Sequence, residues 1–184
     1  MESGLVSTQI FLRPLKANDV SIAYLSWMQD PDIVRYLELR VHPKQIEELR
    51  EYVSGSQLNR EEMLFGIFAR ENEQHIGNIK VGPRDPLHLT ASIGILIGET
   101  QFWSKGIATE SIVLASNWAF REFNCAKVTA GCHASNLGSL RAFMKAGFKV
   151  EGFLQSQVKL SAAEVRADTF LLGLLPDRPA TLCL

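Results

Sequence analysis

The sequence lacks a paired set of cysteines. Its 184 residues hold three, Cys125, Cys132 and Cys183, an odd count with no repeated spacing. That excludes a disulfide framework and favours a reducing, cytoplasmic setting. Net charge is lacking as well: 19 Lys and Arg stand against 20 Asp and Glu, giving −1. No overall field draws nucleic acid or an anionic membrane, so an anionic ligand must be attracted locally. No apolar run approaches the roughly 20 residues of a spanning helix. The start, "MESGLVSTQIFLRP", has no basic region followed by a long apolar run, so no secretory signal is expected. Internal repeats, low-complexity tracts and Gly/Ser/Pro linkers are absent too. So are the two commonest phosphate signatures, GxxxxGK[ST] and GxGxxG.

What is present suits one ordinary globular domain: 46% apolar and 21% charged residues. A chain this long buries most of its surface without metals or disulfides. The domain is expected over residues 8–176, with 177–184 as a tail.

"TQIFLRPL" alternates and reads as a strand. "ANDVSIAYLSWMQD" reads as a helix capped by Asn18 or Asp19 and ended by Pro31. A second helix is expected from near Pro43 to Gly55. "EMLFGIFAR" and "QHIGNIKVG" form a hairpin about "ENEQ", and "RDPLHL" is a loop. "ASIGILIGE" is a strand with Ile93, Ile95 and Ile97 on one face and an open Gly94/Leu96/Gly98 face opposite. A helix over Ile107–Phe123 buries Ile107, Ala108, Ile112, Leu114, Ala115, Trp118, Ala119 and Phe123, leaving Thr109, Glu110, Ser116, Asn117 and Arg121 on the other side. "AKVTAGCH" is a strand. "SNLGSLRAFMKAG" is a short helix capped by Ser135 or Asn136 and stopped by Gly147. Two strands close the chain. The order β-α-α-β-β-β-α-β-α-β-β implies a mixed α/β fold, a sheet with helices on its faces.

"WSKGIATESI" carries the chemistry. The first amides of a helix have no intrahelical partner and point along the positive end of its dipole. A phosphate fits there if no side chain blocks it. Gly106 and Ala108 give clearance, Lys105 a cation and Thr109 a hydroxyl. A glycine needed only by the turn is the plain alternative.

"ETQFWSKGIATESI" followed by "NLGSLRAFMKAGF" resembles the GCN5-related N-acetyltransferase (GNAT) superfamily. Its signature is Gln/Arg-x-x-Gly-x-Gly/Ala, matched by Trp103 to Ala108, then an Asn (Asn136) and a Lys-x-Gly-Phe ending, matched from Lys145 to Phe148. The front "FLRPLKANDV" resembles the ribosomal-protein-alanine-acetyltransferase-like branch and related small-molecule enzymes. The resemblance implies a single domain whose mostly antiparallel, twisted central sheet splays in the middle, with helices on both faces. It implies acetyl-CoA as cosubstrate, no metal, and a primary amine acceptor: an amino sugar, an amino acid type of molecule or a protein N-terminus.

Residue by residue, the resemblance implies that the amides of Ser104, Lys105, Gly106, Ile107, Ala108 and Thr109 take the diphosphate. Leu96, Ile97 and Gly98 pair with the pantetheine arm, and Asn136 bonds it near the sulfur. The strand "AKVTAGCH" splays away to leave a wedge. Lys145 lies near the phosphates or caps its helix. Three positions depart from the pattern. Trp103 replaces Gln or Arg. Phe143 stands where many members have the tyrosine that protonates the thiolate, so Ser139 is the nearest hydroxyl. Gly131 stands where one subgroup carries a glutamate base.

Amine acetylation needs a proton acceptor and a donor for the carbonyl oxygen. Glu99 is the first candidate base, with a solvated strand-end carboxylate as its other role. His133 is the second; with Cys132 it makes "CH", but no further spaced ligands suggest zinc. Ser139 is the candidate acid. A backbone N–H within Leu96–Gly98 is the candidate oxyanion donor. Arg35 and Tyr36 are candidate acceptor-binding residues, whereas Trp27 suits helix packing. Rival readings are a coenzyme-A-binding module without catalysis and a nucleotide-binding protein. Monomer and homodimer both fit.

Overall fold

A computed structural model describes residues 5–37, 43–159 and 165–176. The expected tail and Cys183 lie outside them. Eight strands form one sheet: β1 (Leu5–Val6), β2 (Ile10–Pro14), β3 (Met63–Ala69), β4 (His75–Asp85), β5 (Thr90–Ile97), β6 (Lys127–His133), β7 (Lys149–Lys159) and β8 (Arg166–Leu174). Their spatial order is β1-β2-β3-β4-β5-β6-β8-β7, and every neighbouring pair is antiparallel except β5–β6. The helices are α1 (Ile22–Gln29), α2 (Pro31–Val34), α3 (Ile46–Leu58), α4 (Ile107–Glu122) and α5 (Leu137–Lys145). This is the mixed sheet with helices on both faces that the sequence implies.

The period of two in β3 assigns those faces. Phe65, Ile67 and Ala69 join the core beneath α4 and α5, with Ile112, Ala115, Ala119 and Phe143. Leu64 and Phe68 point the other way, into a second core under α1 and α3 with Tyr24, Trp27, Leu49 and Val53.

Several local expectations are corrected. Ser21, not Asn18 or Asp19, caps α1: its hydroxyl accepts from Tyr24 N at 3.2 Å. Asp19 instead closes a 3-10 turn over Ala17–Asp19 and holds both Arg13 Nη atoms, at 2.6 and 2.7 Å. Pro31 ends α1 but also opens α2, whose cap is Asp30; proline tolerates that first-turn position because it needs no amide there. The second long helix starts at Ile46 and runs past Gly55 to Leu58. Most of "RDPLHL" becomes a tight turn, because β4 continues to Asp85.

The other face of α4 is the largest departure. Thr109, Glu110 and Ser116 are buried, not exposed. The helix is sandwiched, since β1 and β2 wrap beside its first turn, and a wheel built on one apolar stripe cannot show that.

Candidate active site

β5 and β6 pair only at their starts, Thr90 with Lys127, Ala91 with Val128 and Ser92 with Thr129. Beyond that they part, and a cavity of about 820 Å³ opens between them. Leu96 and Ile97 lie on its β5 wall. The Gly98 amide donates to Ile76 O at 2.9 Å, toward β4. Alternation along a strand then turns the Ile97 N–H and C=O to the free edge, facing the gap. Trp103 Nε1 donates to Ile97 O there at 2.9 Å. Gly94 has open space where a side chain would stand, so ligand backbone can approach the strand.

Gly98 is bare for a different reason from the one expected. An added Cβ would lie 2.0 Å from the Trp27 ring. The missing side chain admits that indole, which is 3% exposed, and Gly98 does not line the cavity. Its committed amide also removes it as an oxyanion donor.

At one end of the cavity the chain turns into α4. Ser104 (φ 62°) and Gly106 (φ 87°) both adopt the left-handed region. An added Cβ at Gly106 would meet only Gln9 Nε2, at 3.8 Å, so the glycine serves the backbone conformation. Among the described residues no acceptor takes the amides from Ser104 to Thr109, and Ser104, Gly106, Ile107, Ala108 and Thr109 all line the wall. Lys105 does not; its ammonium stands 5.7 Å from the centre of the Phe102 ring.

A buried carboxylate braces this turn. Glu110, in the first turn of α4, accepts from Gln9 N at 3.1 Å, from Gln9 Nε2 at 2.7 Å and from the Ser7 hydroxyl. Gln9 Nε2 also donates to Lys105 O at 3.1 Å. A carboxylate tolerates burial when donors and a helix N-terminus surround it. β2 is thereby tied to the loop that presents the free amides.

α5 forms the opposite wall. Asn136 caps it, its Oδ1 accepting from Ser139 N at 3.1 Å. Asn136, Ser139, Phe143 and Lys145 line the cavity, as does Arg141. Lys145 is also the basic residue of the last turn of α5.

The other end is assembled from three separated segments. Arg35 and Tyr36 follow α2, His133 ends β6, and Thr169 lies opposite His133 on β8. The Tyr36 ring stands edge-on to His133, centroids 5.7 Å apart, and its hydroxyl donates to Ser135 O at 3.4 Å. The Arg35 guanidinium lies 4.6 Å from the centre of the same ring. His133 is 6% exposed and Thr169 5%. Among the described residues, neither His133 ring nitrogen nor the Thr169 hydroxyl has a hydrogen-bond partner. Each such buried orphan costs about 1–3 kcal/mol, so a ligand that satisfies them gains that much.

Glu99 is placed elsewhere. Its carboxylate accepts from Trp27 Nε1 at 3.0 Å and Gln101 Nε2 at 3.4 Å, and it does not line the cavity. Cys125 and Cys132 are free, and burial raises both thiols above their ordinary pKa. Among the described residues no cluster of three His, Cys, Asp or Glu side chains gathers that could hold a metal, and no helix is long and apolar enough to cross a membrane.

The family profile described as "Acetyltransferase (GNAT) domain" matches residues 9–149. The chain belongs to the GNAT acetyltransferase family. "Probable N-acetyltransferase YjcK" of Bacillus subtilis (strain 168) is 31% identical to it, over 91% of this chain and 95% of that protein. "Uncharacterized N-acetyltransferase p20" of Bacillus licheniformis is 22% identical, over 93% of this chain and 95% of its own length. Among solved structures, the spermidine N-acetyltransferase of Vibrio cholerae in complex with CoA and spermine superposes with a TM-score of 0.82 at 19% identity, covering 95% of this chain and all of that one. A GNAT-family acetyltransferase from Bacillus anthracis gives 0.80 at 19% identity, covering 95% and 99%.

The protein is thus an acetyl-CoA-dependent N-acetyltransferase. In this acetyltransferase, motif reading located the glycine turn and α5 but missed Thr169, Asp32 and Arg141, all of which line the cavity. Arg141 stood inside the α5 motif and could have been found by its position one turn before Lys145, on the same side of the helix. Thr169 carried no local signal; only the β6–β8 register puts it beside His133.

Proposed function

We propose that this acetyltransferase moves an acetyl group directly from acetyl-CoA to the primary amine of a small molecule of amino sugar or amino acid type or of a protein N-terminus. The observation that carries it is the gap between β5 and β6, with unpaired amides at one end and unpaired His133 and Thr169 at the other. The residues fit the cosubstrate: left-handed Ser104 and Gly106 aim bare amides outward, and no side chain at Gly94 obstructs the strand edge.

The amides from Ser104 to Thr109 receive the diphosphate, with Lys145 and Arg141 supplying positive charge on the facing wall. The free edge of β5 aligns the pantetheine arm, and Asn136, whose Oδ1 is committed to its cap, offers its NH2. When bound, the thioester supplies an acyl carbon open to attack by a neutral amine. His133 accepts the ammonium proton as base; it lines the gap where Glu99 does not. The Ile97 N–H faces the gap and donates to the carbonyl oxygen as negative charge develops there. The amine nitrogen bonds to the acyl carbon, the carbon–sulfur bond breaks, and the Ser139 hydroxyl relays a proton from solvent to the departing sulfur, taking one up as it gives one. Phe143 has no proton to give and serves as an apolar wall. Holding the two reactants in register contributes about 7–11 kcal/mol of barrier reduction.

Calorimetry with acetyl-CoA and with ATP, followed by a free-thiol assay over an amine panel, tests this reading. Binding of acetyl-CoA over ATP with amine-dependent thiol release supports it. Tight acetyl-CoA binding with no thiol release from any amine would leave a coenzyme-binding module instead.

A further inference from the structure

We propose that Thr169 and His133 form a two-point acceptor subsite selecting amines that carry a hydrogen-bonding group on the adjacent carbon. Such compounds are 1,2-amino alcohols, including amino sugars, and α-amino carbonyl compounds. This deepens the acetyl-transfer reading and rests on it.

Three observations on one face of the β6–β8 pair converge. His133 and Thr169 are direct register partners. Both line the cavity, and both carry buried polar atoms with no partner. Gly131, two residues before His133, also lines it, and a Cβ there would meet only Thr169 Cγ2, at 3.7 Å. The glycine therefore leaves space beside the two unsatisfied side chains.

Side chains directly opposite across an antiparallel pair have Cβ atoms about 4.5–5.5 Å apart. A nitrogen and an oxygen on neighbouring carbons can each reach one of them: the amine meets His133 and the adjacent group meets Thr169. An amine isolated by three or more methylenes satisfies His133 and leaves the Thr169 hydroxyl buried and unpaired, a mismatch that polar sites reject strongly. A polyamine is further disfavoured by charge. Among the described wall residues Asp32 is the one carboxylate, three positions from Arg35. The Tyr36 ring stands edge-on to His133, and its hydroxyl donates to Ser135 O at 3.4 Å.

The test is a free-thiol assay on the full chain at saturating acetyl-CoA. D-glucosamine, L-serinamide and a tetrapeptide starting with serine are compared with n-butylamine, Nα-acetyl-lysine and spermidine. The first group is expected to exceed the second at least 10-fold in kcat/KM. Thr169→Val is expected to erase about 10-fold of that preference through the acceptor KM, with the acetyl-CoA KM within two-fold of the parent, and Thr169→Ser to restore it. Glucosamine turnover without peptide turnover identifies a small-molecule acceptor, and the reverse a peptide N-terminus; either supports the subsite. Equal or better use of the isolated amines overturns it. So does a Thr169→Val enzyme with unchanged preference or with equal losses toward donor and acceptor. No acetylation of the first group, with acetyl-CoA binding intact by calorimetry, overturns the subsite but leaves the donor site standing. Absence of that binding removes the acetyl-transfer reading itself.

Discussion

The two ends of the cavity are built from different material. At the α4 end the functional groups are backbone amides, aimed by two left-handed residues and braced by Gln9 and Glu110. At the Thr169 end they are side chains, drawn from a loop after α2 and from two strands. Backbone groups are the same in every residue, so the first end tolerates sequence change wherever conformation survives. Trp103 shows this: it replaces the usual polar residue, yet its indole reaches back to Ile97 O and leaves the amides free. The second end has no such tolerance. One hydroxyl or one ring can decide what fits there, which is why the proposed acceptor choice is assigned to that end.

This contrast can be broken most severely at Gly106. A branched residue cannot easily hold its positive φ, so the loop would relax and turn its amides out of line. Gly106→Val should weaken CoA binding about 100-fold by calorimetry, the equivalent of losing two or so charge-assisted bonds. Next comes Gly131→Leu at the other end. Its side chain fills the space beside Thr169, so acceptor kcat/KM should fall about 30-fold while CoA affinity holds. Equal effects of both substitutions on donor and acceptor would erase the distinction between the ends.

Gln9→Ala leaves the amides in place but frees the loop at Lys105 O and takes one donor from Glu110. CoA affinity should drop about 10-fold while turnover of a short acetyl thioester lacking the diphosphate stays within two-fold. Losses of equal size with both donors would show that Gln9 merely supports folding. Trp103→Gln should change the acetyl-CoA KM less than about 3-fold, because the loop works through its main chain.

A histidine outside the cavity separates stability from activity by pH. His75 does not line the cavity; it packs between Phe68, Trp27 and Tyr24, with Nε2 2.9 Å from Asn78 Oδ1. Burial pulls its pKa below the ordinary 6.5, and the Asn78 bond only partly opposes this. The unfolded chain therefore binds the proton more readily. His75 contributes full stability above pH 6.5, and this is lost as pH falls through the lower folded pKa. Thermal melts from pH 8 to pH 5 should show a small decline that His75→Phe flattens.

The legible parts of the site share a local cause. Helix starts, glycine turns and strand alternation are written within a few neighbouring residues, so the stretches around Gly106 and from Asn136 to Lys145, which line most of the cavity's two walls, were readable locally. Glu99 was misplaced because a strand-end carboxylate has two directions open to it, and only the Trp27 indole chose between them. Gly98 was read as clearance for a ligand when it is clearance for that same ring. The burial of Glu110 needed β1 and β2, more than 90 residues earlier in the chain, to be packed against it.

By itself the sequence determined the family, the order of elements apart from β1 and α2, and the glycine turn at the start of α4, because motifs, periodicity, caps and left-handed glycines act over one or two turns of chain. The tertiary structure alone decided which side chains meet at the acceptor end. His133 and Thr169 are 36 positions apart and become neighbours only through the β6–β8 register. That register follows from burying whole strand faces, a property no local stretch contains.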